Sequence, residues 1–190
     1  MTHPVTLSSA LLRLDQPTAS DAGRMFEHCQ DPAFERYLTV PWPYRREHAE
    51  SFICEYIPGA WASGSEATWA LRGPDSAELL GVISLRLPSG SIGFWIGAEH
   101  RGHGYMPEAQ RLVADWAFGN GIVESIHWEC LRGNLASART ARKAGFAFTG
   151  EAPSVARFRD GSHPPSWQAW LHAADSREAK PGWPEAVSPA

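Results

Sequence analysis

The sequence predicts one mixed α/β domain, and three observations carry that prediction. Antiparallel strand candidates come first, and a strand-helix-strand-helix-strand succession follows. The 190 residues are enough for one substantial core and too few for two comfortable ones. Hydrophobic residues at 43% and charged residues at 20% are ordinary for a globular chain.

The elements follow in order. Thr6 to Leu14 reads as a first strand, ended by Asp15-Gln16-Pro17. Ser20-Asp21 offers N-cap chemistry to a helix over Ala22 to Gln30, with Met25, Phe26 and Cys29 at helical spacing. Pro32, Pro41 and Pro43 break the next segment into loop or short helical turns. Arg46 to Ile57 is helical by pattern, and Pro58-Gly59 are expected to end it. Glu66 to Arg72 and Glu78 to Leu87 read as two strands joined by Gly73-Pro74-Asp75-Ser76, and Ser91 to Gly97 as a third. A helix from Tyr105 to Phe118 closes at Gly119-Asn120-Gly121. Ile122 to Leu131 is the next strand, Leu135 to Ala144 the last helix, and Phe146 to Gly150 and Trp167 to His172 the final strands. The domain is placed at residues 1–173, with residues 174–190, rich in Pro, Ala, Ser and Glu, as a flexible tail.

Charge and cysteines bound the function classes. A net charge of -4 argues against general nucleic-acid binding, although Arg139, Arg142 and Lys143 form a local basic cluster that suits one small anion. Cys29, Cys54 and Cys130 are odd in number and scattered, which fits reduced thiols in a cytoplasm. No signal-peptide pattern opens the chain and no run approaches a membrane span, so no membrane partner is expected.

Two stretches carry chemistry. In Glu99-His100-Arg101-Gly102-His103-Gly104-Tyr105-Met106, two glycines stand at a strand-to-helix junction. Such a loop presents unpaired N–H groups and the positive end of a helix dipole, which together favour an anion. Two glycines at a strand-to-helix junction more often make only a tight turn. There is no third glycine at dinucleotide spacing and no Gly-Lys-Ser/Thr ending. His100 and His103 read as loop histidines, since no acidic or cysteine partner joins them in a ligand pattern, and no metal is expected. The second stretch runs Asn134-Leu135-Ala136-Ser137 to Lys143-Ala144-Gly145-Phe146; Asn134 can cap its helix, and Ser137 and Ala138 keep one face small.

Together, and in this order, the two stretches resemble the GNAT superfamily of N-acetyltransferases, in the branch of ribosomal-protein N-terminal (RimJ/RimL-like) acetyltransferases. Leu80-Gly81-Val82-Ile83 and Leu12-Arg13-Leu14 fit the same pattern, and the resemblance spans Leu7 to Leu171. It implies the acyl-CoA N-acyltransferase fold: a mostly antiparallel twisted sheet, helices on both faces, and a splayed strand pair for the coenzyme. It implies acetyl-CoA as co-substrate and direct transfer to a primary amine, with a protein or peptide N-terminal amine favoured over a small-molecule amine such as an antibiotic or polyamine. A non-catalytic coenzyme A sensor and a nucleotide-binding regulatory domain are the rival readings, and a homodimer is left open. The coenzyme residues implied are Trp95, Ile96, Gly97, Arg101, Gly102, His103, Gly104, Tyr105, Met106, Asn134 and Ser137. A backbone N–H at Trp95 or Ile96 is expected to polarise the thioester carbonyl.

The catalytic candidates implied are Ser137, as proton donor to the leaving thiolate, and Glu129, as base; Glu99 and His127 are further base candidates. An α-amine, with a pKa of roughly 7.7–8.0, needs far less help from a base than a lysine at about 10.4. Glu99 departs from the Gln or Arg often found three residues before the first glycine. No Cys-His-Asp order supports a covalent route through Cys130. Trp42, Tyr44 and Trp61 are candidates for the acceptor side, as are Glu47, Glu50, Glu55 and Glu66.

Overall fold

Residues 3–188 are described here from a computed structural model of the chain. The expected first strand is a tight hairpin, β1 (Leu7–Ser8) and β2 (Arg13–Asp15), because Ser9 turns the chain by donating to the Leu12 carbonyl. Helix α1 (Ala22–His28) follows. Of the loop or short helical turns expected next, the structure has a six-residue helix, α2 (Pro32–Tyr37): Asp31 caps it by accepting from Ala33 N, and Pro32 sits at the first turn, where a missing N–H costs nothing.

The next helix also runs past its expected end. Helix α3 (Arg46–Ser51) passes through a wide turn over Phe52–Tyr56 into α4 (Ile57–Ser63). In that turn Ile57 N donates to Phe52 O, five residues back. Pro58 therefore falls at the start of α4 rather than in a helix interior, and Gly64, in the left-handed region, ends the run.

Strands β3 (Glu66–Arg72), β4 (Gly81–Arg86) and β5 (Ser91–Ile96) form an antiparallel meander. Then come α5 (Tyr105–Gly119), β6 (Ser125–Leu131), α6 (Leu135–Lys143), β7 (Ala147–Pro153) and β8 (Pro165–His172). The eight strands pair in the order β1-β2-β3-β4-β5-β6-β8-β7, all antiparallel except β5 with β6. No helix among the described residues is long and apolar enough to cross a membrane.

Strand alternation explains the two cores. Trp69, Leu71 and Ile83 point to the face covered by α5 and α6, where Val113, Ala117 and Ala141 are fully buried. Ala70 and Val82 point to the other face, against Met25, Phe34, Ala49 and Ile53 from α1 to α3. Arg72 ties β2 and α1 to the sheet: its guanidinium holds Asp21 by two bonds of 2.9 and 2.7 Å and Asp15 by one of 2.7 Å.

The expectation of a flexible tail from residue 174 fails for its described part. Trp183 and Val187 are buried in the α5/α6 core, Trp183 donates to the Phe146 carbonyl, and Arg139 donates to the Ala186 carbonyl. Proline and alanine content suggested a loose segment, but one tryptophan with a pocket between Trp128 and Phe148 is enough to anchor it. Residues 189–190 lie outside the described residues.

Candidate active site

The only parallel neighbours in the sheet barely pair. Strands β5 and β6 share a single register pair, Ser91 with His127, and diverge beyond it. Two cavities open at this splay. The larger, about 830 Å³, lies between the strands and the α1–α4 side; the smaller, about 330 Å³, lies between β5, α2 and the starts of α5 and α6. They share Tyr37, Leu38, Phe94, Trp95, Asn134 and Ser137, so the two spaces meet in the middle of the sheet.

The smaller cavity takes most of the residues expected to hold the coenzyme. Arg101, Gly102, Gly104, Tyr105 and Met106 line it from the loop. Trp95 and Ile96 reach it from β5, and Asn134 and Ser137 from the start of α6. Gly102 and Gly104 have φ of +83° and +80°, which a side chain resists, and a Cβ on either would project into open space. No side chain caps α5, so its first N–H groups face the cavity with the helix dipole behind them. Arg139 and Lys143 add positive charge, and no Asp or Glu lines this space.

Two of the expected coenzyme residues are not on the wall. His103 is exposed and stacks on Tyr105. Gly97 is packed under the His28 ring, which a Cβ there would meet at 2.3 Å. Arg101 spends part of its charge on Asp31 and on the Ile96 carbonyl, strapping the loop to α2.

Register decides which strand groups face the splay. Gly97 N donates to Leu80 O, so in this antiparallel pair the odd-numbered positions bond to β4. The N–H groups of Phe94 and Ile96 then point away from β4. Of the two expected oxyanion donors, Ile96 keeps that orientation and Trp95 does not; Phe94, absent from the expectations, gains it.

At the junction, Asn134 accepts from Ser137 N at 3.2 Å, so its oxygen caps α6 while its amide nitrogen stays available. Ser137 stands beside Cys130. Burial pushes the Cys130 thiol up to about 12, opposed by the Ser137 hydroxyl and assisted by the Glu129 charge. A thiol of that acidity is not a nucleophile at neutral pH.

Glu129 does not fit the base role expected of it. Its Oε1 accepts from Ser154 Oγ at 3.1 Å and Ala156 N at 2.9 Å; its Oε2 accepts from Val155 N at 2.9 Å and Gln168 Nε2 at 3.0 Å. Four bonds fill the acceptor sites of a carboxylate. Burial alone would raise its pKa, but the Ala156 and Val155 N–H groups, with Gln168 and Ser154, bring it below the usual carboxylate value. A proton acceptor needs a free lone pair and a pKa nearer neutrality. Glu129 is a positioning residue for the β7–β8 loop. His127 bonds Gln168 and packs against Trp170 with the rings tilted by 41°, which fixes the glutamine that holds Glu129. Glu99 lines neither cavity; its carboxylate is bonded to Arg24 at 2.6 Å.

The larger cavity is acidic. Glu55, Glu66 and Glu129 line it against one guanidinium, Arg86. Glu66 accepts from the Tyr56 hydroxyl at 2.7 Å, and burial together with that carboxylate pushes Tyr56 up to about 12. Tyr44 lines this cavity, whereas Trp61 is buried against Trp69 and Trp116, and Glu47 and Glu50 lie off the wall. Tyr37, Leu38 and the Ser154–Ala156 segment were missed. The Asp31-Pro32 pair, a cap followed by a first-turn proline, was the available signal for the first two.

The family of acetyltransferase (GNAT) domains matches residues 12–147, well over half of the chain. The chain belongs to that family. A curated GNAT-type relative, Bacillus subtilis (strain 168) "Probable N-acetyltransferase YjcK", is 38% identical over 75 residues, 36% of this chain and 41% of that protein. The match therefore spans less than half the length of the relative. Among solved structures, a Salmonella typhimurium acetyltransferase described as modifying the N-terminal serine of ribosomal protein L7/L12 superposes with a TM-score of 0.75 at 15% identity, over 88% of this chain and 99% of that one. The microcin C7 self-immunity acetyltransferase MccE, solved with acetyl-CoA and AMP, gives 0.73 at 18%, over 86% and 93%. At these identities the structures show the GNAT fold, which the mixed eight-stranded sheet shares with them.

Proposed function

We propose that this GNAT chain transfers an acetyl group from acetyl-CoA directly to a primary amine, with a protein or peptide N-terminal amine as the favoured acceptor. One observation carries the reading: a cationic cavity and an acidic cavity meet at Phe94, Trp95, Asn134 and Ser137. The cationic side suits a pyrophosphate, held on the first N–H groups of α5 and by Arg139 and Lys143. The acidic side attracts an ammonium group from solvent.

In this scheme the Phe94 and Ile96 N–H groups receive the thioester oxygen as negative charge develops on it. The amine nitrogen bonds the carbonyl carbon, the carbon–sulfur bond breaks, and the amine proton leaves to water. The thiolate takes a proton from Ser137 or from water. No buried carboxylate is required as base, because an α-amine with a pKa of about 7.7–8.0 is substantially neutral near pH 8. That economy, and the 830 Å³ volume of the larger cavity, support a chain terminus over a lysine. The free thiols Cys29, Cys54 and Cys130 suit a reducing, cytoplasmic setting.

The test is thiol release from acetyl-CoA across an acceptor panel of N-terminal peptides, polyamines and aminoglycosides. Peptide-dependent release with one acetyl group added at the N-terminus is expected. Tight coenzyme binding with no release for any acceptor would make the protein a sensor, and release only with polyamines or aminoglycosides would remove the terminal-amine reading.

A further inference from the structure

Beside the Arg101–Gly104 loop, the fold brings His28 to Glu99 and His100, which the sequence keeps 71 and 72 residues away from it; His100 also lines the smaller cavity. His28 closes α1, while Glu99 and His100 occupy the short turn Ala98–His100 ahead of Arg101. One donor atom from each, two imidazole nitrogens and a carboxylate oxygen, lie within 4.8 Å of one another. His28 Nδ1 is 3.8 Å from Glu99 Oε2, and the two imidazole rings meet edge to face at 5.5 Å between centroids.

Two further observations point to a ligand. The His28 side chain is only 2% exposed, and its Nε2 is 2.9 Å from the Leu79 carbonyl. Donating there fixes the tautomer and leaves the Nδ1 lone pair aimed into the cluster, as an outer hydrogen bond does for a metal-bound histidine. His100 Nε2 is buried and has no hydrogen-bond partner among the described residues; carboxylate oxygens of Glu78 and Glu99 stand 3.6 and 3.9 Å away. A buried nitrogen left unpaired is costly, and the chain gains nothing from it as it stands.

We propose that His28, Glu99 and His100 form a site for a divalent transition metal of the Zn²⁺ class. Two nitrogens and one carboxylate oxygen are a borderline-soft set that suits Zn²⁺ and disfavours Mg²⁺ or Ca²⁺, which take oxygen. Glu78 or a water completes four-coordination. The 3.8 Å between His28 Nδ1 and Glu99 Oε2 is near the span of two ligands on bonds of about 2.0–2.2 Å, and the three donors, within 4.8 Å of one another, draw in to close on an ion. Arg24 bonds Glu99 and Glu78 through their Oε1 atoms, which balances the second carboxylate and leaves Glu99 Oε2 facing His28. The close packing of Gly97 beneath His28 and His100 is what lets the rings converge. A metal here pins the turn that leads into the Arg101–Gly104 loop to α1. The proposal does not depend on the acetyl-transfer reading.

The experiment is equilibrium dialysis of chelator-treated full chain against ZnCl₂, with CoCl₂ absorption reporting coordination geometry. One Zn²⁺ per chain and tetrahedral Co²⁺ bands are expected. His100→Gln should weaken binding by more than about 100-fold, since even outer-shell changes cost about 10–100-fold. The partly exposed Glu99→Gln should weaken it at least about tenfold and serves if His100→Gln misfolds, while His103→Gln should leave it unchanged. Wild-type uptake below one ion per chain, or uptake that survives both His100→Gln and Glu99→Gln in folded protein, overturns the site.

Discussion

Replacing Glu129 by Gln separates a loop-positioning carboxylate from a catalytic base. The carboxylate accepts four hydrogen bonds, two on each oxygen. A carboxamide keeps one oxygen and turns an NH₂ toward the other pair of donors, of which only the Ser154 hydroxyl can accept from it, so two or three bonds survive. At most two bonds to a charged acceptor are lost, at about 1.5–3 kcal/mol each, which bounds the loss at about 3–6 kcal/mol. Val155 is exposed and its N–H regains water, which brings the expected cost to about 2–4 kcal/mol, felt first in the Ser154–Ala156 wall of the larger cavity. The assay is steady-state kinetics with a peptide acceptor at saturating acetyl-CoA, over about pH 6 to 9. Acceptor KM should rise about tenfold or more, with kcat within a few-fold of wild type and coenzyme affinity unchanged.

The pH dependence carries a second readout. The folded-state pKa of Glu129 is lowered, so its contribution to stability is present above the unfolded carboxylate value of about 4.3 and is lost as pH falls through the folded value. The gap in denaturant midpoint between wild type and Glu129→Gln should therefore be full at neutral pH and shrink in acid. A general base would behave otherwise: kcat would fall about 10²–10⁴-fold and the acid limb of the rate profile would disappear. That result refutes the positioning role.

Other substitutions probe the neighbouring parts. Gly104→Val should abolish most of the rise in thermal midpoint caused by acetyl-CoA, because its φ of +80° resists a branched side chain and that side chain would fill the open space proposed for the pyrophosphate; an undiminished shift in folded protein places the coenzyme elsewhere. Ser137→Ala should keep the helix and coenzyme affinity while lowering kcat, and wild-type turnover would assign the proton to water. Asp21→Ala strands the Arg72 guanidinium, 6% exposed, and should cost about 3–5 kcal/mol in urea unfolding. Burial opposes ionisation of Asp21, but Arg72 and Thr18 bring its pKa below the usual value, so wild type should lose this contribution only as pH falls through that lowered value. A loss under about 1 kcal/mol at neutral pH would mean that Asp15 alone satisfies Arg72.

The geometry of the glycine loop was legible because backbone sets it. Gly102 and Gly104 announce positive φ, and their place between a strand and a helix announces free N–H groups, all of it local in sequence. The larger cavity was not, because its character comes from what distant segments do to one another. Glu129 in the sequence is a carboxylate on a strand, and nothing near it tells of the Ser154–Ala156 turn 25–27 residues later that fills its lone pairs. Trp61 looked like a cleft aromatic until Trp69 and Trp116 enclosed it. Trp183 looked like part of a loose tail for the same reason, since its pocket is built by β6 and β7. His100 marks the limit most clearly: along the chain it is paired with His103, which turns outward, and only the packing of α1 brings His28 to it. Local rules thus find groups that act through their own backbone, while a side chain whose role is set by its partners becomes readable only once the fold supplies them.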